Sequence, residues 1–543
     1  MTKDAVPGLT RHGVAMAAGL CLALAFPPTG WAGLAWVGPA LMLLAGQGCT
    51  LGQRWRLGYL AGWVQHGLAL AWLWEIPVRG YPVLGWAALV AYLALYPAAW
   101  LACVGGVLTR ARTWRGRTLA GLGAGAVWVA LEMLQARLLG GFPWNLLGAS
   151  QFEMIPLIQL VSVTGIYGLS FLMVWTAVGL WAAARAVWEE PFRRHGWMRE
   201  LALPGLAVLV VFGWGWQRVR EYSDGTRLLR VTVVQPSIPQ TWIWDARENE
   251  ARFRALLDLT RRALEEPTDL LVWPEAAVPM WLRYDPVAHA TVCELARQHG
   301  VWMITGSDDA EPRDDGSGGG DADYFNAAFL VGPDGRLQSV YRKMQLVMFG
   351  EYIPWVDVLP FLRWFTPITG QYTPGREPIV FELAMAQSER ASAGAGDVRA
   401  APLICFEDVF PHLARRFLAG APDLFVNLTN DGWFGQSAAQ WQHAANAVFR
   451  AVETGRPLVR CTNNGLSAWV DPLGRIRAVL RDERGTVYGP GWAIWTVPLP
   501  ERDLLNPGTV YARYGDVWGW ICVAGAGLWA VGRLRGRWRA NAA

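Results

Sequence analysis

Three residues with reactive side chains each follow closely on an apolar run. Cys405 comes after APLI at 401–404, Glu275 comes after LLVWP at 270–274, and Lys343 follows SVYR at 339–342. An apolar run that stops at a polar turn is typical of a buried strand, so each side chain is expected at a strand end. A cysteine in such a place is most often only a small buried hydrophobe. A free thiol has a pKa of about 8.5 and acts as a nucleophile at neutral pH when a base or a cation lies beside it. Glu275 is such a base and Lys343 is such a cation.

Lys343 is unusual because the chain otherwise relies on arginine. Of the 48 basic residues only two are lysines, Lys3 and Lys343. The pKa of a lysine is tuned by its surroundings, whereas arginine stays charged and is a poor proton donor or acceptor. A lysine in solvent on the surface is the alternative. Together with Glu351 eight residues later, the lone lysine indicates chemistry for which arginine is unsuited.

The elements that must position these residues alternate between strands and helices from about residue 224 to 510. Such alternation favours an α/β layered fold. Two segments rich in small and acidic residues, 308–323 and 384–400, are expected to be flexible surface loops. The strand-like runs are 228–235, 269–274, 301–306, 327–332, 402–405, 424–428 and 458–461. The helical patterns are 247–265, 286–299 and 438–453.

The remainder of the chain is too apolar for an ordinary soluble enzyme. Hydrophobic residues make up 53% of the sequence, charged residues only 17%, and the mean hydropathy is +0.20. Apolar runs predict eight membrane spans, of which the first two are short and separated by Pro27 and Pro28. A cleavable signal peptide is the alternative for the first run, but another apolar run follows it. The predicted spans are 12–28, 31–47, 55–75, 82–108, 118–139, 157–184, 201–218 and 515–532.

The basic residues lie mainly in alternate connections between these spans. Because cytoplasmic loops carry the excess of Lys and Arg, this pattern predicts cytoplasmic termini and a globular domain on the opposite side of the membrane. The basic positions are Lys3, Arg11, Arg54, Arg56, Arg110, Arg112, Arg115, Arg117, Arg185, Arg193, Arg194, Arg199, Arg533, Arg535, Arg537 and Arg539.

The cysteines are consistent with a single working thiol. Four of the seven fall in or next to predicted spans, and Cys293, Cys405 and Cys461 fall in the globular part. No CxxC motif or Cys/His cluster indicates a metal site. The seven histidines are scattered, and only His443, on a predicted helix facing the loop 430–435, is a candidate for a role near the site.

Glu, Lys and Cys in this order, each at a strand end, resemble the catalytic triad of the nitrilase (carbon–nitrogen hydrolase) superfamily. The resemblance implies a four-layer αββα sandwich. It also implies that Glu275 is the general base, that Cys405 carries the acyl group as a thioester, and that Lys343 stabilises the oxyanion with the backbone N–H of Phe406.

A nitrilase-type domain between a seventh and an eighth span resembles the apolipoprotein N-acyltransferase family. The resemblance covers nearly the whole chain and implies a transmembrane bundle at 1–220, an acyltransferase domain at 221–510, and a C-terminal span with a basic tail at 511–543. The motifs are GFPWN at 141–145, VVQPSIPQ at 233–240, WPEAAVP at 273–279, YRKMQLVMFGEYIP at 341–354, CFED at 405–408, NLTNDGWFG at 427–435 and ETGRPLVRCTNNG at 453–465.

The family resemblance also implies supporting and substrate-binding residues. Glu351 and Glu407 would support the triad, and four aromatic residues would shape the approach of lipid, although membrane-interface packing is the alternative for them. Two positions depart from the family pattern: Phe406 stands where tyrosine is common, and Met348 stands where proline is common. The four aromatic residues are Trp144, Trp244, Trp433 and Phe434.

The implied reaction is a ping-pong acyl transfer in the bacterial inner membrane, with the catalytic domain on the periplasmic side. The acyl donor would be a glycerophospholipid and the acceptor the α-amine of a diacylglyceryl-cysteine on an apolipoprotein. Membrane lipid is the expected surrounding, and neither a cofactor nor nucleic acid is expected. Two alternatives remain open: a membrane-tethered amidase or nitrilase acting on small C–N substrates, and a non-catalytic scaffold with a nitrilase shell.

Overall fold

The computed structural model contains two compact units. It describes residues 8–78, 81–111, 113–189, 195–313, 322–365, 371–385, 396–502 and 508–541. One unit comprises residues 1–74, 83–221 and 514–543, and the other comprises 75–82 and 222–513. Of the basic positions used for the topology prediction, Lys3, Arg112, Arg193 and Arg194 lie outside the described residues.

The first unit is helical. Each of the eight predicted spans overlaps at least one helix, but among the described residues only four helical segments are both long and apolar enough to cross a membrane. These four are Pro82–Leu108, Trp114–Gln135, Ile166–Glu189 and Met198–Glu221. The helices are α1 Gly8–Leu24, α2 Gly38–Ala45, α3 Leu51–Ala69, α4 Tyr81–Leu93, α5 Leu95–Leu108, α6 Trp114–Gln135, α7 Ile155–Ile158, α8 Val161–Thr164, α9 Ile166–Glu189, α10 Met198–Glu221 and a C-terminal helix, Val517–Asn541.

Local sequence explains where these helices begin and how closely they pack. Thr50 caps α3 because its hydroxyl accepts from the N–H of Gln53, whose side chain accepts in return from the N–H of Thr50. Gly62 lets α3 approach the N-terminal end of α5, since a Cβ there would lie 2.8 Å from the Cα of Ala94. Small residues at such contacts are typical of helices that pack in a membrane.

In its described parts, the second unit contains twelve strands and several helices. The strands are β1 Arg227–Gln235, β2 Leu270–Val272, β3 Trp302–Pro312, β4 Ala322–Val331, β5 Leu337–Arg342, β6 Phe381–Leu383, β7 Val398–Ile404, β8 Leu424–Thr429, β9 Leu458–Thr462, β10 Ala468–Val470, β11 Ile476–Val479 and β12 Gly491–Leu499. The helices are α11 Gln240–Ile243, α12 Asn249–Ala263, α13 Pro286–His299, α14 Pro411–Arg416, α15 Ala439–Thr454 and α16 Val510–Tyr514.

The strands form two six-stranded sheets. The first has the order β12-β1-β2-β3-β4-β5 and the second the order β11-β10-β9-β8-β7-β6. In each sheet three central strands run parallel, β1 to β3 in the first and β7 to β9 in the second. The parallel strands of a sheet end at the same edge, which brings the residues after β2 and after β7 to the carboxyl ends of their sheets.

The two sheets face each other between layers of helices. Residues of α12 and α13 share one hydrophobic core with β2, β3 and β4. The thiol of Cys461 on β9 donates to the carbonyl oxygens of Val234 and Val272 in the first sheet, at 3.5 and 3.3 Å. The helix α15 contacts β9 and β10 of the second sheet, and all of its residues except Trp441 are buried. This arrangement is the predicted αββα sandwich.

The sequence located seven of these strands and three of the helices, but it misjudged one acidic segment. Residues 308–312 continue β3 instead of forming a loop, because Arg342 pairs with Asp309 and so neutralises an acid within the strand. Residues 322 and 323 likewise belong to β4, while 314–321 lie outside the described residues. Of the second predicted loop, 398–400 belong to β7 and 386–395 are not described.

Candidate active site

The three triad candidates of the sequence lie at strand ends, as predicted. Glu275 follows β2 by three residues, Lys343 follows β5 directly, and Cys405 follows β7 directly. Gly306 allows β3 to press against the turn at Glu275, because a Cβ there would lie 2.8 Å from the Glu275 Cα. Cys405 itself has a φ of +50°, a left-handed conformation that is uncommon for any residue except glycine.

Lys343 is buried between two carboxylates. Its side chain is 1% exposed, and its Nζ donates to Oε1 of Glu275 at 3.2 Å and to Oε1 of Glu351 at 2.9 Å. Burial alone would lower the pKa of Lys343, but the charges of Glu275 and Glu351 outweigh burial and hold the pKa well above its usual range. A raised pKa favours the ammonium form of Lys343.

The two glutamates beside Lys343 differ in what their second oxygen does. Oε2 of Glu351 accepts from the backbone N–H of Val347 at 2.8 Å. Oε2 of Glu275 is buried and has no hydrogen-bond partner among the described residues. A carboxylate with one fixed oxygen and one open oxygen is suited to accept a proton, whereas Glu351 is suited to hold Lys343 in place.

Asn326 on β4 completes this group, and the sequence did not reveal it. Its Nδ2 donates to Oε1 of Glu275 and to Oε1 of Glu351, at 2.8 Å in both cases. An amide that bridges two carboxylates reduces their repulsion and fixes both oxygens on the lysine side. The available signal was a polar residue inside an otherwise apolar strand, AAFLV preceded by Asn326.

The thiol of Cys405 is poorly acidic in the resting protein. Burial raises its pKa, the charge of Glu275 raises it further, and the charge of Lys343 acts in the opposite direction. The charges of both residues therefore act on the thiol. Because the thiol holds its proton, nucleophilic attack requires a base, and the open oxygen of Glu275 is the group suited to that role.

Glu407 joins the segment after Lys343 to the strand that carries Cys405. One of its oxygens accepts from the hydroxyl of Tyr341 at 2.7 Å and from the N–H groups of Met344 and Gln345 at 2.7 and 3.1 Å. The other accepts from the N–H of Ile404 at 2.8 Å. Burial raises the pKa of Glu407 to about 7. Its position indicates that it supports the site through its contacts and not as a base.

The peptide that follows the nucleophile is held through its carbonyl. The carbonyl oxygen of Cys405 accepts from Nδ2 of Asn427 at 3.2 Å and lies 3.3 Å from Nε2 of His443. The Phe406 ring is buried and packs edge-on against Phe410, with centroids 5.0 Å apart. His443, the one histidine that the sequence selected, thus lies directly beneath the nucleophile.

Three charged residues surround the imidazole of His443. Nδ1 lies 2.8 Å from Oδ1 of Asp431, and Nε2 lies 2.9 Å from Oδ1 of Asp408. Arg460 joins the same two carboxylates, with contacts of 2.6 Å to Asp408 and 2.9 Å to Asp431. All four side chains are buried, so two positive and two negative groups balance each other within the protein if the imidazole is charged.

Two of the four predicted substrate-binding aromatics lie together. The rings of Trp244 and Trp433 pack edge to face with centroids 5.2 Å apart, and Trp244 is 42% exposed. The segments that carry these two tryptophans are joined by a hydrogen bond in which Nδ2 of Asn430 donates to Oε1 of Gln240 at 2.8 Å. Phe434, next to Trp433, is partly buried.

Trp144 lies in the helical unit and is 2% exposed. Its ring packs on Trp72 at a centroid distance of 5.1 Å and on Phe142 at 6.2 Å. These contacts show that the Trp144 side chain lies in the interior of the helical unit.

Comparison with known proteins covers both units. Residues 18–179 match the model of the apolipoprotein N-acyltransferase N-terminal domain, and residues 230–490 match the model of the carbon–nitrogen hydrolases. A protein of Geobacter metallireducens named apolipoprotein N-acyltransferase is 35% identical over 545 residues, which cover 97% of this chain and 96% of that protein. The chain belongs to the apolipoprotein N-acyltransferase family.

Other members of the apolipoprotein N-acyltransferase family are similar over much of their length. The protein of that name from Bradyrhizobium diazoefficiens is 32% identical, with 85% of this chain and 80% of that protein covered. The one from Rickettsia prowazekii is 32% identical, with 72% of each chain covered. The family resemblance stated from the motifs is confirmed.

Proposed function

We propose that this protein transfers a fatty acyl chain from a membrane glycerophospholipid to the α-amine of the N-terminal diacylglyceryl-cysteine of apolipoproteins. The transfer proceeds through a thioester on Cys405. The reaction is supported by the names of the relatives and by the length of the chain over which they match. The observation that carries the proposal is the buried group of Glu275, Lys343 and Asn326 beside the Cys405 thiol, in which one oxygen of Glu275 stays open.

In the first half-reaction Glu275 takes the proton of the Cys405 thiol, and the thiolate attacks the carbonyl carbon of the lipid ester. The carbonyl oxygen becomes an oxyanion, which the ammonium of Lys343 and the backbone N–H of Phe406 stabilise. When the tetrahedral intermediate collapses, the ester C–O bond breaks. The lysophospholipid leaves with the proton that Glu275 had taken, and the acyl group remains on sulfur.

In the second half-reaction the neutral α-amine attacks the thioester carbonyl. Glu275 receives a proton from the attacking nitrogen, the C–S bond breaks, and the proton returns to the Cys405 sulfur. The products are an amide and the free thiol. Because Cys405 is only partly exposed, we expect access of water to the thioester to be restricted and transfer to the amine to be favoured over hydrolysis.

We further propose a multi-pass arrangement in the bacterial inner membrane with eight spans, cytoplasmic termini and a periplasmic catalytic domain. In this proposal the bundle is 1–220, the acyltransferase domain is 221–510, and 511–543 form the last span and a basic tail. The alternation of basic residues supports it. The four long apolar helices support insertion in the membrane. Both lipid-anchored substrates would then meet the thiol at a high effective concentration.

The exposed Trp244 and its partner Trp433 are proposed to contact the lipid chains as they approach. Large aromatic rings are suited to an interface where one side is apolar and the other is wet. Trp144 is proposed to contribute to lipid binding within the helical unit. Phe434 is assigned to the same group because it adjoins Trp433.

The decisive experiment is mass spectrometry of the purified full-length protein in phospholipid micelles. An acyl adduct on Cys405 is expected, and it should disappear when a diacylglyceryl-cysteine peptide is added, with appearance of the N-acylated peptide. Release of ammonia from small amides without a phospholipid adduct would favour a membrane-tethered amidase. Absence of any adduct with an intact fold would favour a scaffold. Cys461→Ser is a suitable control because Cys461 lies between the sheets.

A further inference from the structure

The peptide group between Cys405 and Phe406 has a C=O group and an N–H group with different roles. A trans peptide directs its C=O and its N–H to opposite sides. The C=O of this peptide points at Asn427 and His443, so the N–H of Phe406 points away from them. In the proposed reaction that N–H stabilises the oxyanion.

The protonation of His443 follows from its neighbours. Nε2 faces two acceptors, the Cys405 carbonyl oxygen at 3.3 Å and Oδ1 of Asp408 at 2.9 Å. A lone pair on Nε2 would repel both, so Nε2 carries the hydrogen. Nδ1 faces Asp431 on one side and Arg460 on the other, both at 2.8 Å, and serves as donor or acceptor without changing this result. In either state the imidazole donates toward the Cys405 carbonyl.

We propose that His443 and Asn427 are positioning residues that fix the Cys405–Phe406 peptide so that its N–H is aimed at the oxyanion. This inference rests on the proposed function only in taking Cys405 as the acylated nucleophile. The left-handed backbone conformation of Cys405 requires that its carbonyl group be held in place by hydrogen bonds. A cysteine would relax out of that conformation if its carbonyl were not held.

The rigidity of the two donors supports this role. Asn427 and His443 are at most 1% exposed. Asn427 lies within β8, where its main chain is paired on both sides with β7 and β9. His443 is fixed by Asp408, Asp431 and Arg460. Neither donor is positioned to receive the proton of the thiol, since the contact of each is to the carbonyl and not to the sulfur.

The test separates oxyanion stabilisation from thiol reactivity. Acylation of Cys405 by a p-nitrophenyl ester passes through an oxyanion, whereas alkylation by iodoacetamide is a direct displacement and does not. We expect His443→Leu and Asn427→Leu each to slow acylation by about 10- to 100-fold, the range for a misplaced group or a lost oxyanion donor. Alkylation should stay within about threefold of the wild-type rate in the same samples, because it needs no oxyanion donor.

Two further variants make the result specific. His443→Gln retains an amide donor on the same helix and should recover most of the acylation rate. Asn446→Ala, one turn along α15, removes an equally buried side chain that donates only to the Gln442 carbonyl, and should leave both rates unchanged. If His443→Leu does not fold, Asn427→Leu decides the question. Since Oδ1 of Asn427 has no hydrogen-bond partner among the described residues, leucine removes only the bond to the Cys405 carbonyl.

Equal loss of acylation and alkylation, or wild-type acylation in both leucine variants, overturns the proposal. The p-nitrophenyl ester keeps this outcome distinct from failure of the proposed function. If phospholipid does not acylate the wild-type protein but the activated ester does, the lipid substrate is wrong while the positioning of the peptide is still measured.

Discussion

Exchange of Lys343 for arginine separates the charge of this residue from its shape. The ammonium lies within 3.2 Å of Glu275 and 2.9 Å of Glu351 in a space where the side chain is 1% exposed. A guanidinium retains the positive charge, but it is larger and planar, and its paired N–H groups fit carboxylates. In Lys343→Arg we therefore expect the guanidinium to turn toward the two glutamates and away from the oxyanion.

The expected magnitudes follow from these contacts. Because both carboxylates keep a cation, the variant should fold, with an overpacking cost of about 1–3 kcal/mol. Loss of one oxyanion donor lowers the rate about 10²- to 10³-fold, which corresponds to about 3–4 kcal/mol of barrier. Lys343→Met should behave differently. It leaves two carboxylates buried without a cation, a defect that costs about 3–5 kcal/mol and threatens the fold itself.

The assay is a time course of the Cys405 acyl adduct on purified protein in phospholipid micelles, followed by intact mass. Arg342→Lys, the reverse exchange one residue earlier, is the control, because Arg342 pairs with Asp309 and Glu311 and not with the two glutamates that hold Lys343. Acylation of Lys343→Arg at the wild-type rate would refute the reasoning, since charge alone would then suffice. Loss of acylation together with loss of the fold would show that the space does not admit arginine.

Three other outcomes are expected. Cys405→Ser should form no thioester and transfer no acyl chain, while Cys293→Ser keeps full activity in the same mass-spectrometric assay. A reporter that is active only in the cytoplasm should be silent when fused after Asp224 and active after Arg539, and the reverse pattern would contradict the proposed topology. The pKa of Glu407 is raised to about 7 in the folded protein, above its unfolded value of about 4.3. The stabilisation that comes from protonated Glu407 is therefore complete below the unfolded value and is lost as the pH rises through 7. Between about pH 5 and 8, denaturation followed by tryptophan fluorescence should show the unfolding free energy falling by roughly 3 kcal/mol relative to Glu407→Gln, and a constant difference would contradict the raised pKa.

The sequence predicted where three reactive side chains lie in the fold, because each of them stands at the end of a strand. Glu275, Lys343 and Cys405 could be found because each is a reactive side chain that directly ends an apolar run. Glu407 was found only through family resemblance, since a glutamate after a cysteine has no distinctive spacing. Its four contacts reach β5, β7 and the segment between β5 and β6, and depend on how the two sheets face each other.

The residues that the sequence missed are polar groups inside strands. Asn326 and Asn427 occupy positions within β4 and β8, where their neighbours are apolar and the period-two pattern carries no sign of a functional role. Four strands, β6, β10, β11 and β12, were also missed, and β5 was expected only from the run that precedes Lys343. Three of them have only partly buried residues at most positions or are three residues long, so their apolar pattern is weak.

The backbone of Cys405 bears on how such a protein would evolve. Its left-handed conformation costs a residue with a Cβ about 1–3 kcal/mol, whereas glycine adopts it freely and asparagine with little penalty. In a lineage that no longer needed the reaction, mutation to glycine at this position would increase stability and would be retained. If Cys405 carries the acyl group as proposed, its sulfur is kept at a cost in stability that glycine at this position would remove. The descendants that lost the chemistry should be recognisable by glycine or asparagine at position 405.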